Sequence, residues 1–418
     1  MVKVAIMGFG VVGSGVWEVL TKNASSIAKR AGEEISVKYI LDIRDFPDHP
    51  AKDLMIKDFD IILNDPEVSI VVETIGGLEP AYTYTKKLLL NGKHVVTSNK
   101  ELVAKHGPEL LKIAKENNIN YFFEASVGGG IPIIRPLQNC LAGNQITEIA
   151  GILNGTTNYI LTQMKKYSLS FEDALKEAQE KGYAERNPSN DIEGHDACRK
   201  IAILSSIAYS HYVNYESIYT EGISKITKED MEYAEELGCT IKLIAMSKKI
   251  DDKKVVARVS PLMISYKSPF ANVDDVFNAI LVKGDAIGDV MFYGQGAGKL
   301  PTASAVVGDI IDIVKHIDKS YVYTWAISGD IEVVDIENTS CRFFVRVKYK
   351  DYTKAKDAVS LIFNDCMIVN THRPIGTNEF AFVTHEMKES EFREKISQLE
   401  KISVVEKVLS IVRYDENI

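Results

Sequence analysis

The chain has 418 residues, 45% of them hydrophobic and 26% charged, with a formal net charge of −9 and a pI near 5.5. That length exceeds one typical core and predicts two or three domains of ordinary globular composition, while the acidic balance speaks against nucleic acid or an anionic membrane as partner. A small anionic ligand can still bind locally. Five cysteines, Cys140, Cys198, Cys239, Cys341 and Cys366, lie far apart without a CxxC pair, and no Cys or His spacing suits a metal, so reduced thiols are expected. The start MVKVAIMGFG shows no secretory pattern and no apolar run approaches the ~20 residues of a bilayer span, which predicts a cytoplasmic protein.

Residues 2–7 form a short β-branched run that predicts a buried strand. It feeds Gly8-Phe9-Gly10-Val11-Val12-Gly13, followed by a helix through Val16, Val19 and Leu20. Between a strand and a helix this spacing predicts dinucleotide binding: the first glycine turns tightly, the second admits a pyrophosphate, and the third lets helix and strand pack closely. The helix start then faces the phosphates with N–H groups and a partial positive charge. Residues 36–43 read as the second strand, whose end selects the cofactor. An acidic residue there accepts from a ribose 2′-hydroxyl, whereas an arginine accommodates a 2′-phosphate. Both are present. Asp42 sits inside the apolar alternation and reads as outward-facing, while Arg44 stands at the mouth of the loop; NADP is favoured and NAD stays open.

Further strands are expected at 68–75, at HVVTS and at 119–125, with a helix over 80–91. Strands alternating with helices describe an α/β doubly wound parallel sheet, with its ligand off the carboxyl ends of the strands. Those ends are the glycine loop, Thr74-Ile75-Gly76, the run through Ser98 to Lys100, and residues 124–130. After Pro132 the texture changes to a second, α+β domain. It contains NGTTNYIL, whose turn holds Asn154, Gly155 and Thr156, a helix over 171–181, and antiparallel strands of a second sheet between about 255 and 292. The cluster GQGAGKLPT, with Gly298, resembles a second phosphate-contacting loop, a hinge between domains being the other reading. A helix follows over 303–316, and residues 319–340 read as a linker. RFFVRVKY, AKDAVSLIF, MIVNT, EFAFVTH, a helix through Phe392 and VEKVLSIVRY then spell β-α-β-β-α-β, a ferredoxin-like layout. The expected boundaries are 1–134 for the dinucleotide domain, with helix 302–318 packing back on it, 135–301 for a catalytic and dimerisation domain, and 341–418 for the last module.

The stretch AQEKGYAERNPSNDIEGHDACRK, residues 178–200, enters an apolar helix in an unusual way. If residues from about Ile192 onward are helical, Asp196 and Lys200 share one face, which continues through Ile203 and Ile207. Such a pair is ordinarily a solvated ion pair worth about a few tenths of a kcal/mol. Here the helix is apolar nearly all round from Ile201 to Tyr209, which predicts a central helix whose first turn opens into a cleft.

These residues carry a resemblance. Ala178, Gly182, Pro188, Asp191, Ile192, Gly194, Asp196 and Lys200 meet the A-x(3)-G…P-x(2)-D-[LIVM]-x-G-x-D-x(3)-K signature of homoserine dehydrogenases, and NGTTNYIL and TSNK are similar to runs of that family. The resemblance covers roughly residues 1–318. It implies reversible hydride transfer between L-aspartate 4-semialdehyde and L-homoserine with a nicotinamide cofactor, in the pathway to threonine and methionine. It also implies Lys200 and Lys100 at the reacting centre, with Lys105 as a second candidate for the latter. Asp196, Glu185 and the Asn154-Gly155-Thr156 turn would hold substrate, Asp196 also counting as catalytic because one turn before Lys200 it can orient that lysine, and Gly182 and Gly298 would lie near the cofactor. A sodium-like cation site would use Glu124 and the backbone of Val127, Gly129 and Ile131, although EASVGGGIP also reads as a helix-capping glycine loop.

The chemistry agrees with these roles. In the reducing direction the aldehyde oxygen gains negative charge and needs a cation or proton donor, which a lysine of lowered pKa supplies. Two lysines on different domains would meet only in a cleft between them. The last module resembles the ACT domain, which in relatives can mediate feedback by threonine. Its first turn here, KYKDYTKAKDAV, lacks the Asp-x-x-Gly of the ligand-binding turn, so a contact between chains is the alternative role. Apolar strands in the second domain predict a homodimer or higher homo-oligomer. Another dehydrogenase of amino-acid metabolism and a non-catalytic nucleotide sensor are the competing functions; the 178–200 signature argues against the first, and turnover would exclude the second.

Overall fold

The structure, a computed structural model, describes residues 1–321, 325, 331–372, 375–416 and 418. Two compact units emerge. The first comprises Met1–Thr147, Arg199–Glu216 and Val282–Ile331, the second Glu148–Cys198, Ser217–Leu281 and Glu332–Ile418.

The first unit begins with β1 (Val2–Met7), α1 (Val11–Lys22), α2 (Ala24–Ala31), β2 (Ile35–Leu41), β3 (Met55–Ile56), α3 (Phe59–Asn64) and β4 (Val68–Glu73). It continues with α4 (Ala81–Leu90), β5 (His94–Thr97), α5 (Lys100–Glu116) and β6 (Tyr121–Phe122). The strands lie in the order β3-β2-β1-β4-β5-β6, all parallel. This is the doubly wound, Rossmann-like order, and its ligand crevice opens where the order reverses, between β1 and β4. Val71, Val72, Val95 and Val96 are fully buried, as expected of parallel strands covered on both faces. β2 stops at Leu41 and β4 at Glu73, each short of its expected end, so Asp42 and Thr74 fall in the loops beyond. The strand expected to reach Ala125 gives way to a 3-10 turn at Glu124–Ser126.

The chain then forms β7 (Ile146–Ile152), α6 (Gly155–Tyr167), α7 (Phe171–Glu180), α8 (Ser189–Ile192), α9 (His195–Tyr209), β8 (Tyr219–Thr220), α10 (Lys228–Glu236), β9 (Cys239–Lys249), β10 (Lys254–Ser265) and β11 (Phe277–Gly284). β12 (Gly288–Gln295) and α11 (Lys299–Lys315) belong to the first unit, where α11 packs against α1. The remaining elements are β13 (Glu332–Val333), β14 (Ser340–Tyr349), α12 (Tyr352–Ile362), β15 (Met367–Ile368), β16 (Glu379–Val383), β17 (Met387–Lys388), α13 (Glu389–Leu399) and β18 (Val405–Asp415).

In the second unit the sheet runs β11-β7-β9-β10-β18-β14-β16-β15. It is mixed: β9 is antiparallel to β10, whereas β18 is parallel to it. β9 is absent from the expected elements, because its run CTIKLIAMSKK is buried on both faces and so shows no alternation. Even its Lys242 is buried, donating to the Val273 carbonyl at 2.6 Å, Asp274 at 3.1 Å and Asn158 at 3.2 Å. Residues 340–415 run β14-α12-β15-β16-β17-α13-β18, the expected order with the short β17 added, over a core of Phe343, Val345, Phe363, Phe382 and Phe392. Through the β10–β18 pairing their sheet continues that of the rest of the unit. Residues 319–340, expected as a linker, lie partly outside the described residues, and Glu332–Val333 pairs with β10. No helix among the described residues is long and apolar enough to cross a membrane.

Candidate active site

The glycine loop is shaped by close approach. Gly8 has φ +89°, and a Cβ there would lie 2.6 Å from the Thr74 carbonyl oxygen; one at Gly13 would lie 2.0 Å from that of Gly8. Neither position admits a side chain. Gly10 is the N-cap of α1 with no side-chain cap, so the N–H groups of the first turn, which starts at Val11 and Val12, are left for a ligand. A cavity of about 520 Å³ adjoins the loop, lined by Gly8, Gly10, Asp42, Arg44, Lys57, Thr74 and Ile75 among others. Thr74 Oγ1 donates to the Gly8 carbonyl at 2.8 Å, fastening one loop to the other.

Asp42 does not face outward as its place in the alternation implied. β2 ends one residue earlier, and Asp42 turns inward and is buried. Its Oδ2 accepts the Phe9 N–H at 2.6 Å and Arg44 Nη2 at 2.9 Å; its Oδ1 accepts the Arg44 N–H at 2.8 Å and Nε at 3.0 Å. Hydrogen bonding to the Arg44 side chain holds the carboxyl down at about 2, against the effect of burial. The carboxylate is therefore spent inside the protein, whereas the Arg44 side chain is 58% exposed. Lys57 was missed in the sequence. It donates to the carbonyls of Ile43 at 3.0 Å and Arg44 at 2.7 Å, and only the β2–β3 pairing, Leu41 beside Ile56, brings it there.

The end of β5 leads into residues 98–100. Ser98 is half-buried, and Asn99 caps α5 by accepting the Leu102 N–H at 3.1 Å. Lys100 is the first residue of α5 and half-buried, whereas Lys105 is exposed on the following turn. The sequence assigns Lys100 and Lys200 to different domains, yet both fall in the first unit. Their chain neighbours pair: Arg199 Nη2 lies 3.8 Å from Glu101 Oε1.

The charged entrance of α9 is built differently from the continuous helix expected from Ile192. α8 ends at Ile192, Gly194 takes φ +82°, and α9 starts at His195. Asp196 thus sits in the first turn, 2% exposed, with Lys200 one turn on at 8%. Asn154, the N-cap of α6, accepts the Thr157 N–H at 2.9 Å and donates to Asp191 at 2.7 Å and Asp196 at 2.8 Å. Its amide is fully engaged, so its contribution is the placement of the two aspartates. Gly155 opens α6, and Thr156 Oγ1 donates to the Tyr183 carbonyl at 2.7 Å. Gly182 and Glu185 are exposed in the loop after α7, and Gln179 Nε2 donates to the Glu185 carbonyl at 3.0 Å.

At Glu124 the helix-capping reading describes the side chain. Oε1 accepts the N–H groups of Ile133 at 2.6 Å and Ile134 at 2.8 Å, and Oε2 accepts that of Arg135 at 2.7 Å and its Nε at 3.3 Å. Asp309 joins from α11, accepting the Glu124 N–H at 2.9 Å, and burial pushes its carboxyl well above the ordinary range. Both Glu124 oxygens are thus occupied. Among the described residues no N–H of a turn or loop donates to the carbonyls of Val127, Gly129 or Ile131. No cluster of three or more His, Cys, Asp or Glu suited to a metal occurs among the described residues. Gly298 precedes α11 as its N-cap.

Two family models match this chain: homoserine dehydrogenase over residues 132–311, and the NAD binding domain of homoserine dehydrogenase over residues 8–124. The homoserine dehydrogenase of Bacillus subtilis is 36% identical, aligned over 100% of this chain and 99% of the relative. That of Helicobacter pylori is 39% identical over 99% of each. Among solved structures, a homoserine dehydrogenase from Thiobacillus denitrificans has a TM-score of 0.90 at 37% identity, covering 99% of this chain and 98% of that one. A hyperthermophilic archaeal homoserine dehydrogenase in complex with NADPH has a TM-score of 0.64 at 31% identity, covering 74% and 97%.

Proposed function

The chain belongs to the homoserine dehydrogenase family, and on that premise we propose how its own residues interconvert L-aspartate 4-semialdehyde and L-homoserine. The observation that carries the assignment of roles is the burial of Asp196 and Lys200 one turn apart on α9. The nicotinamide, when bound, supplies or takes the hydride. Lys200 and Lys100 stabilise the negative charge that grows on the aldehyde oxygen and hand it a proton. Asp196 and Glu185 meet the substrate ammonium. Asn154 leaves the first N–H groups of α6, those of Gly155 and Thr156, for the substrate carboxylate. The glycine loop and the open start of α1 fit a pyrophosphate, with Thr74, Ile75, Gly76, Ser98, Gly182 and Gly298 beside the rest of the cofactor. The purified protein is expected to reduce NADP with homoserine; no turnover with either NADP or NAD would overturn this function.

NADP is the proposed cofactor. Two cationic side chains, Arg44 and Lys57, line the cavity, and Asp42 has no lone pair left for a 2′-hydroxyl while Arg44 holds it. Arg44→Ala should therefore raise the KM for NADP about tenfold while changing that for NAD by no more than about twofold, since it removes a phosphate partner and releases a carboxylate. Equal effects on the two cofactors in steady-state assays would remove the 2′-phosphate role.

A sodium or similar monovalent cation would be met at residues 124–131 by main-chain carbonyls rather than by the Glu124 carboxylate, which is already occupied. The strand order β18-β14-β16-β15 of residues 340–415 supports a ferredoxin-like, ACT-like module. A homodimer remains the proposed assembly.

A further inference from the structure

We propose that Glu73, at the carboxyl end of β4, is a positioning residue that locks the cofactor loop to the turn leading into Lys100, a role that rests on the dehydrogenase function above. The side chain is 0% exposed. Its Oε1 accepts the N–H groups of Ile75 at 2.8 Å and Gly76 at 3.4 Å, holding the turn that lines the cavity. Its Oε2 accepts the Thr97 hydroxyl at 2.5 Å. That hydroxyl oxygen in turn accepts the Asn99 N–H at 2.9 Å. Asn99 caps α5 and donates from Nδ2 to the Gly77 carbonyl at 2.6 Å. One carboxylate thus joins the end of β4 to the residue preceding Lys100.

The carboxylate is costly where it stands: burial pushes it above its ordinary range, opposed by hydrogen bonds from Thr97, Ile75 and Gly76. A valine would fill a buried strand end at less cost. It could not accept from two loops at once. Placement of this kind governs rate steeply, because a shift of about 1 Å in a reacting group can cost on the order of a hundredfold.

Two variants test the role against the wild type. Glu73→Gln keeps the volume but presents an amide donor where Thr97 or the Ile75 N–H needs an acceptor. It should raise the Kd for NADPH, read by fluorescence titration, about tenfold and lower kcat about tenfold. Thr97→Val cuts only the arm towards Asn99 and Lys100. It should lower kcat about tenfold while holding the Kd for NADPH within about twofold. A purely structural role would lower thermal stability in both without this split. A Kd change in Thr97→Val as large as its kcat change, or wild-type kcat in that variant, overturns the proposal, and Thr97→Val decides alone if Glu73→Gln does not fold. Should the wild type bind NADPH yet fail to reduce aspartate 4-semialdehyde, the dehydrogenase function falls, while the Kd of Glu73→Gln still tests the loop contact by itself.

Discussion

Lys200→Ala is expected to lower kcat by about a thousandfold while leaving NADPH affinity nearly unchanged, because a group that stabilises charge and transfers a proton acts in the transition state. Lys200 is 8% exposed. Alanine at this buried place removes the ammonium without adding a charge, so the loss should fall on turnover rather than on folding. Single-turnover reduction of aspartate 4-semialdehyde by bound NADPH isolates the chemical step. A kcat within about tenfold of wild type would move the proton and the charge to Lys100, whose own alanine variant would then show the larger loss.

Glu124→Ala should be the most damaging change to stability, costing about 3–5 kcal/mol. Three main-chain N–H groups, those of Ile133, Ile134 and Arg135, lose their acceptor in the interior, and Arg135 loses one carboxylate partner while keeping Asp309. The measurement is the urea midpoint of the first unfolding transition. Glu124→Gln should recover part of the loss, since an amide oxygen still accepts from Ile133 and Ile134. An unchanged midpoint in the alanine variant would show that water replaces the carboxylate. If that variant also kept a sodium dependence of activity, a cation bound by main-chain carbonyls would be supported over one bound by the side chain.

Elements whose burial leaves a periodic or glycine trace were legible in the chain. Whereas α2, β3, α3 and α5 were not among the expected elements, the strand-glycine-helix start, the further parallel strands, the helix near 80–91 and the apolar helix after Lys200 have local causes. β9 had none, because a strand covered on both faces does not alternate and its buried Lys242 imitates a surface residue. The start of α9 was misplaced because Gly194 interrupts the helix with a left-handed conformation, and the sequence does not say which glycine will do so.

The site shows the same division. Residue types at fixed spacing singled out Gly8, Gly10 and Gly13 and the Asp196–Lys200 pair as candidates, while the family came from resemblance to its signature over residues 178–200. Which polar groups remain available to a ligand was decided only in three dimensions. Asp42 is consumed by Arg44 and Phe9, Asn154 by two aspartates and Thr157, and Glu124 by the N–H groups of residues 133–135. Lys57 reaches the cavity, and Glu73 reaches Thr97, through strand pairings between distant parts of the chain. The kind of chemistry was legible in residue types and spacing, whereas the hydrogen-bond partners were not, because these depend on contacts between segments that no spacing encodes.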